Sequence, residues 1–300
     1  MAIANEPERY LLSVVKSHMA TDFQLEVVVD DETLGIGDSV LIEAHQLVSE
    51  IEDEITEYRE ISPVWEINNS PVMTWIAASE HLLFLLRVSE RLQRDSAGYF
   101  NPFSKSVGAA HFSDLEVDEK GKRIRSKNEN LRLGFGAIGK GYALDAVRPI
   151  FDRQGLNHYR LSSGGSSWIF SGLDPNLQAW KIGWSWRRDD DGDYAGRLLR
   201  VPQGESIAIG VSGILEQGNH FLHQGKPIEK PIQSSFYAGR SAAEADAFST
   251  ALFVGAGIEG EGILTKLESA LRIPALAFVD LEEQMIYNRS FSQRFLSAPS

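Results

Sequence analysis

Gly134-Phe135-Gly136-Ala137-Ile138-Gly139-Lys140-Gly141 opens directly onto residues 142–151, where Ala143, Leu144, Val147 and Phe151 recur on one helical face. Four glycines in eight residues let the backbone approach something closely. The N–H groups and dipole of a helix start suit a phosphate, and Lys140 adds a point charge. The stretch is neither a Walker loop, which needs Gly-Lys-Ser/Thr, nor a dinucleotide fingerprint. By itself it fits a tight structural turn and a phosphate cradle alike. Outward from it, residues 23–29, 159–161, 167–170, 180–184, 197–201 and 206–211 read as strands. Residues 115–124, centred on Lys120-Gly121, read as a hairpin, and 275–279 with 284–287 as a closing one. Helical spacing follows an Asp38-Ser39 cap at Val40, Ala44, Leu47, Val48, Ile51 and Ile55, and recurs over 74–93, 241–254 and 263–271. Helices and strands mix without strict alternation. That predicts an α+β fold, with mixed or antiparallel sheets flanked by helices, rather than a doubly wound parallel sheet.

The chain has 300 residues, 43% of them apolar, enough for a sizeable core. Acids outnumber bases 42 to 29, a net charge of −13. A broad phosphate-binding face is therefore not expected, and nucleic acid is excluded as a partner. With no cysteine there are no disulfides, thiolate metal sites or cysteine nucleophiles. No apolar run approaches the roughly 20 residues of a membrane helix. The start carries Glu8, Arg9 and Lys16 and lacks a signal-peptide core, so the cytoplasm is the expected location.

In Ser241-Ala-Ala-Glu-Ala-Asp246-Ala-Phe-Ser-Thr250, Asp246 and Thr250 are four apart and share a helical face. A carboxylate and a hydroxyl there can hold a hard cation through oxygen. The same residues also fit an N-terminal Asp on a helix whose Thr bonds its own backbone. His220 and His223 are a close histidine pair on a loop, suited to base or ligand work, or simply solvated. Ser162-Ser-Gly164-Gly165-Ser-Ser167 is a small-residue turn. The run Asp189, Asp190, Asp191, Asp193 reads as a solvated loop between strands.

These pieces, in this order, resemble the FAD:protein FMN transferases, the ApbE-like family. His18-Met-Ala-Thr21, Tyr58-Arg-Glu-Ile-Ser62 with Asn68, Gly136-Ala-Ile-Gly-Lys-Gly-Tyr-Ala-Leu-Asp145 and Ala243–Phe253 carry the resemblance. It runs from His18 to Phe295 and implies one domain of T-fold-like architecture over 18–296, after an N-terminal extension, 1–17. The implied reaction moves FMN from FAD to a Ser or Thr hydroxyl of an acceptor protein, releasing AMP. Residue by residue, the resemblance implies Mg²⁺ on Asp246, Thr250 and the carbonyl of Ala137. It implies FAD against Met19, Tyr58, Tyr99, Phe100, Asn101 and Lys140, and His220 as the base.

The sequence also departs from that pattern. The family's His-x-x-Asp-Pro-x-x-Gly reads His220-Phe-Leu-His223-Gln-Gly225, its Gly-Gly-Asp turn reads Gly164-Gly165-Ser166, and its Phe-Asp-Pro-Thr reads Phe100-Asn-Pro-Phe103. Gly134 stands where the family has an acid ahead of the glycine element. The metal pair is kept while the polar shell around it is eroded. Two alternatives stay open beside the transferase: a non-catalytic FAD-binding relative, and a pyrophosphatase that cleaves FAD to FMN and AMP.

Overall fold

The computed structural model describes residues 8–296 except 190, 205, 216, 217, 224, 272 and 273. Asp190 of the acidic run and residues 1–7 of the expected extension thus lie outside the described residues. The chain opens on a hairpin: β1 (Tyr10–His18) and β2 (Thr21–Val29) pair antiparallel from Tyr10↔Val29 to His18↔Thr21. Met19 and Ala20 form its two-residue turn with φ of 50° and 58°, the left-handed geometry that suits the twist of paired strands. The long helix α1 (Leu34–Ile55) begins ahead of the predicted Asp38-Ser39 cap. Gly37, a poor helix former, explains both the sequence reading and its correction. A Cβ there would meet Val29 Cγ1 at 2.8 Å and Leu12 Cδ1 at 2.9 Å, so glycine lets the first turn lie on the hairpin without shifting those side chains.

Next come α2 (Pro63–Asn69), β3 (Ile76–Ala77) and α3 (Glu80–Asp95). The helix predicted over 74–93 is corrected at its start. Ser79 Oγ accepts from Leu82 N–H at 3.1 Å and caps the helix there, while Ile76 pairs with Ile124. The predicted hairpin is β4 (Leu115–Asp118) and β5 (Arg123–Ser126), joined by β3 into a small sheet of order β3-β5-β4. The glycine-rich stretch leads into α4 (Gly139–Arg153). After it come β6 (Tyr159–Ser163), β7 (Ser167–Ser171), β8 (Lys181–Arg188), β9 (Tyr194–Arg200) and β10 (Ile207–Gly213). The short β11 (Leu222–His223) and β12 (Lys226–Pro227) precede β13 (Ser234–Gly239). Then α5 (Ala242–Glu259), α6 (Gly262–Ala270), β14 (Ala275–Val279) and β15 (Met285–Tyr287) follow.

The main sheet has eight strands in the order β1-β2-β6-β7-β10-β13-β14-β15. Every neighbouring pair in it is antiparallel. The fold is therefore α+β, an antiparallel sheet flanked by helices. Helices α1, α4 and α5 cover one face. The β8–β9 hairpin and a C-terminal helical turn cover the other, around Trp184, Phe170, Phe236, Phe291 and Phe295. Helix α5 is buried on nearly all sides. Two glycines permit this: a Cβ on Gly141 of α4 would meet Ala242 O at 2.0 Å, and one on Gly210 of β10 would meet Ala245 O at 2.2 Å.

Candidate functional site

At one end of the sheet the turns of β1–β2 and β6–β7 lie beside the end of β10. Gly164 N–H donates to Asp22 O at 2.9 Å, and Val211 N–H to Ser166 O at 2.7 Å. Asp246, on the second turn of α5, reaches into this region and is 5% exposed. Its Oδ2 accepts from Gly141 N–H at 2.7 Å, and its Oδ1 accepts from the Ser167 hydroxyl of β7. Burial pushes its carboxyl up, opposed by the charge of Lys140 and by these two donors. One turn on, Thr250 Oγ1 lies 3.2 Å from Ser212 Oγ of β10, which also lies 3.0 Å from Ser249 Oγ.

The bond from Gly141 has a second effect. In a regular helix its N–H would go to the carbonyl of Ala137, four residues back. Here it goes to Asp246, and among the described residues no backbone or side-chain donor reaches Ala137 O. Among the described residues there is also no group of three or more His, Asp or Glu able to hold a metal. A cation at this place would instead be held by one carboxylate with hydroxyl and carbonyl oxygens. That donor set fits a hard ion such as Mg²⁺.

Sequence reasoning quoted Asp145 but gave it no role. It projects from α4, one turn beyond Gly141, and accepts from Ser241 Oγ at 2.7 Å, Ala242 N–H at 3.0 Å and Ala243 N–H at 2.9 Å. Burial pushes its carboxyl up as well, against the pull of those donors. Asp145 thus caps the start of α5 from a neighbouring helix. That cap and the glycine contact at 141 fix how α5 presents Asp246. Ser167 was likewise hidden inside a serine turn that pointed nowhere in particular.

The other sequence-predicted residues are distributed around this centre. Lys140 Nζ lies 3.4 Å from Gly136 O, and its charge acts on Asp246. Met19 is in the β1–β2 turn and packs against the core. Tyr58 is 77% exposed, its hydroxyl accepting from Lys105 Nζ at 3.2 Å. Ser62 caps α2, and Asn68 pairs with both backbone groups of Leu133, at 2.8 and 2.7 Å, steadying the approach to the glycine stretch. Tyr99 donates to Glu259 at the end of α5, and its ring lies 5.6 Å from that of His223. Phe100 is 1% exposed and packs in the core. Asn101 lines a cavity of about 500 Å³ together with Gln93, Arg94, His111, Phe112 and His223.

His220 sits on an exposed loop, with Nδ1 3.0 Å from Gly218 O. A carbonyl only accepts, so in this contact Nδ1 is the donor. The His220 ring lies 4.2 Å from that of Phe221, which stacks on Phe253 of α5 at 3.9 Å. Phe253 is three residues beyond Thr250, so the loop is pinned close to the Asp246–Thr250 face.

The model of the ApbE family matches residues 19–273. The chain is 27% identical over 222 residues to the FAD:protein FMN transferase of Chlamydia pneumoniae, covering 62% of this chain and 67% of that one. Its fold is similar to a flavin transferase ApbE from Vibrio cholerae, with TM-score 0.76, 17% identity, and 95% and 99% of the two chains covered. It is similar too to a Pseudomonas stutzeri flavinyl transferase ApbE, with TM-score 0.78, 22% identity, and 97% and 98% covered.

Proposed function

The chain belongs to the ApbE family, and from that premise we propose that it transfers FMN from FAD to a Ser or Thr hydroxyl of an acceptor protein, releasing AMP. One observation carries the reading. A buried carboxylate, Asp246, is fixed by Gly141 N–H and Ser167, with Thr250 one turn on along the same helix and, one turn ahead of Gly141, an Ala137 carbonyl left without a donor among the described residues. These three oxygens would hold Mg²⁺, which when bound offsets the charge of the FAD pyrophosphate.

The remaining chemistry belongs to the chain's own residues. Gly218 O holds the His220 ring so that Nε2 takes the proton of the acceptor hydroxyl. The freed oxygen attacks the phosphorus on the flavin side of the pyrophosphate. The bond from that phosphorus to the bridging oxygen breaks, and AMP leaves with that oxygen. Lys140 places an ammonium beside Asp246, where the anionic ligand approaches. The exposure of His220 suits a macromolecular acceptor that must bring its hydroxyl in from outside.

The test is incubation of the purified chain with FAD, Mg²⁺ and a candidate acceptor. Covalent flavin on the acceptor, with AMP in equal amount, is expected. Free FMN and AMP with an unlabelled acceptor would replace the transferase by a pyrophosphatase. Intact FAD, bound but unreacted, would leave a binding protein.

A further inference from the structure

Ser212, near the end of β10, is none of the residues assigned above to FAD, Mg²⁺ or the acceptor. Gly210, two positions earlier on the same strand, lets β10 run close against α5, and Ser212 meets that helix at two hydroxyls. Its Oγ lies 3.0 Å from Ser249 Oγ and 3.2 Å from Thr250 Oγ1. Both sides of this contact are anchored in the buried sheet. Trp184 Nε1–H donates to Ser234 Oγ at 2.9 Å, and the Ser234 hydroxyl donates to Ser212 O at 3.2 Å. The Ser235 hydroxyl of β13 donates to Ser249 O at 2.7 Å.

Each hydroxyl has one proton, so the direction of the chain follows from its far end. Ser249 Oγ lies 3.0 Å from the backbone carbonyl of Asp246, which only accepts, so the Ser249 proton points there. Ser249 then accepts from Ser212, and Ser212, with its own proton engaged, accepts from Thr250. The Thr250 proton is thereby turned into the fold. Its Oγ1 keeps lone pairs and has no proton left to offer, and among the described residues no donor reaches it. An oxygen in that state accepts a hard cation and cannot donate to a phosphate oxygen.

We propose that Ser212 is a positioning residue of the cation site, accepting the Thr250 proton while Ser249 holds its own, so that Thr250 meets its ligand as an acceptor only. The chain of hydroxyls starts at Thr250 and ends on the backbone of Asp246, which ties the orientation of one oxygen ligand to the helix turn that carries the other. The assignment rests on the reading that Asp246 and Thr250 hold Mg²⁺.

Mg²⁺ is titrated by calorimetry onto the full chain, with and without FAD, for wild type, Ser212→Ala, Ser212→Thr and Ser249→Ala, and urea unfolding is followed for each. Ser212→Ala is expected to weaken Mg²⁺ about 10- to 100-fold, the range for losing a group that orients a metal ligand. Ser212→Thr, which keeps the hydroxyl, recovers most of that loss. Ser249→Ala weakens Mg²⁺ in the same direction, because Ser212 can then turn its proton onto Thr250; it carries the test if Ser212→Ala does not fold. Wild type that binds Mg²⁺ beside an equally tight Ser212→Ala, whatever the change in stability, overturns this assignment alone. A Ser212→Thr that binds no tighter than Ser212→Ala overturns it too. A wild type that binds no Mg²⁺ in either condition overturns the metal reading and this assignment together.

Discussion

Replacing Gly141 by alanine should uncouple the two helices that build the site. The added Cβ would lie 2.0 Å from Ala242 O, 2.4 Å from Ala242 C and 2.8 Å from Ala243 N. All three are backbone atoms, so no rotamer change relieves the contact. Ordinary contact begins at 3.4 Å, so α4 and α5 must move apart by about 1.4 Å (3.4 − 2.0). Overpacking of this kind costs about 1–3 kcal/mol. The same seam holds the 2.7 Å bond from Gly141 N–H to Asp246 and the Asp145 cap on α5. Losing one bond to a carboxylate costs about 1.5–3 kcal/mol more. Alanine returns roughly 1 kcal/mol as a better helix former. The net is a loss of about 1.5–5 kcal/mol, a large part of the roughly 5–15 kcal/mol typical of a folded domain. Gly136→Ala is the control, because nothing lies within 4 Å of a Cβ there. Urea unfolding of both variants gives the stabilities, and Mg²⁺-dependent FMN transfer gives the site. If Gly141→Ala matches Gly136→Ala within about 0.5 kcal/mol and keeps full transfer, the helix seam does not position Asp246.

Asp246→Asn keeps the size of the side chain and removes its charge; Mg²⁺-dependent transfer should disappear, and retained dependence on Mg²⁺ in the transfer assay would remove Asp246 from the metal ligands. His220→Ala should slow transfer by roughly 100-fold while His223→Ala slows it far less; an unchanged rate in His220→Ala would pass the role to His223 or to water. Burial holds both rings of the buried pair His18 and His45, 3.3 Å apart, low, helped by the charge of Lys16 and opposed by Glu52 on His18 and the Val14 carbonyl on His45. Both pKa values lie below the ordinary 6.5, so between the folded values and 6.5 the unfolded chain binds more protons and stability rises with pH. Thermal melts should therefore show stability falling as pH drops below about 6.5, and His45→Gln should flatten that slope; an equally steep fall in the variant would place the cause elsewhere.

Local signals carried much of the fold. The Lys120-Gly121 turn, the closing hairpin and most strands of the main sheet are visible as short apolar runs bounded by turn residues. Strand β1 was read as part of an extension, because an edge strand with most residues exposed shows no clean inside and outside. Helix α5 buries nearly all its sides, so its periodicity is weak; its Ser241 cap and its Asp-Thr spacing made it legible. The site was legible only as isolated residues. Asp246 and Thr250 were visible, but the partners of Asp246 come from 105 and 79 positions away, and spacing says nothing about such contacts. The glycine at 141 looked like a phosphate cradle; its tightest requirement is the carbonyl of Ala242.

That difference changes where an anionic ligand finds its support. The N–H groups at the start of α5 are the obvious phosphate donors by the helix-dipole argument, but Asp145 and Ser241 occupy them. The N–H of Gly141, the other obvious donor, is occupied by Asp246. The backbone donors here hold the protein's own carboxylates in place. In a chain of net charge −13, a pyrophosphate bound as proposed would then draw on Lys140 and on the proposed cation at Asp246. The acid excess is thus compatible with FAD because these two carboxylates are fixed by donors, so that one can serve as a ligand and the other as a brace.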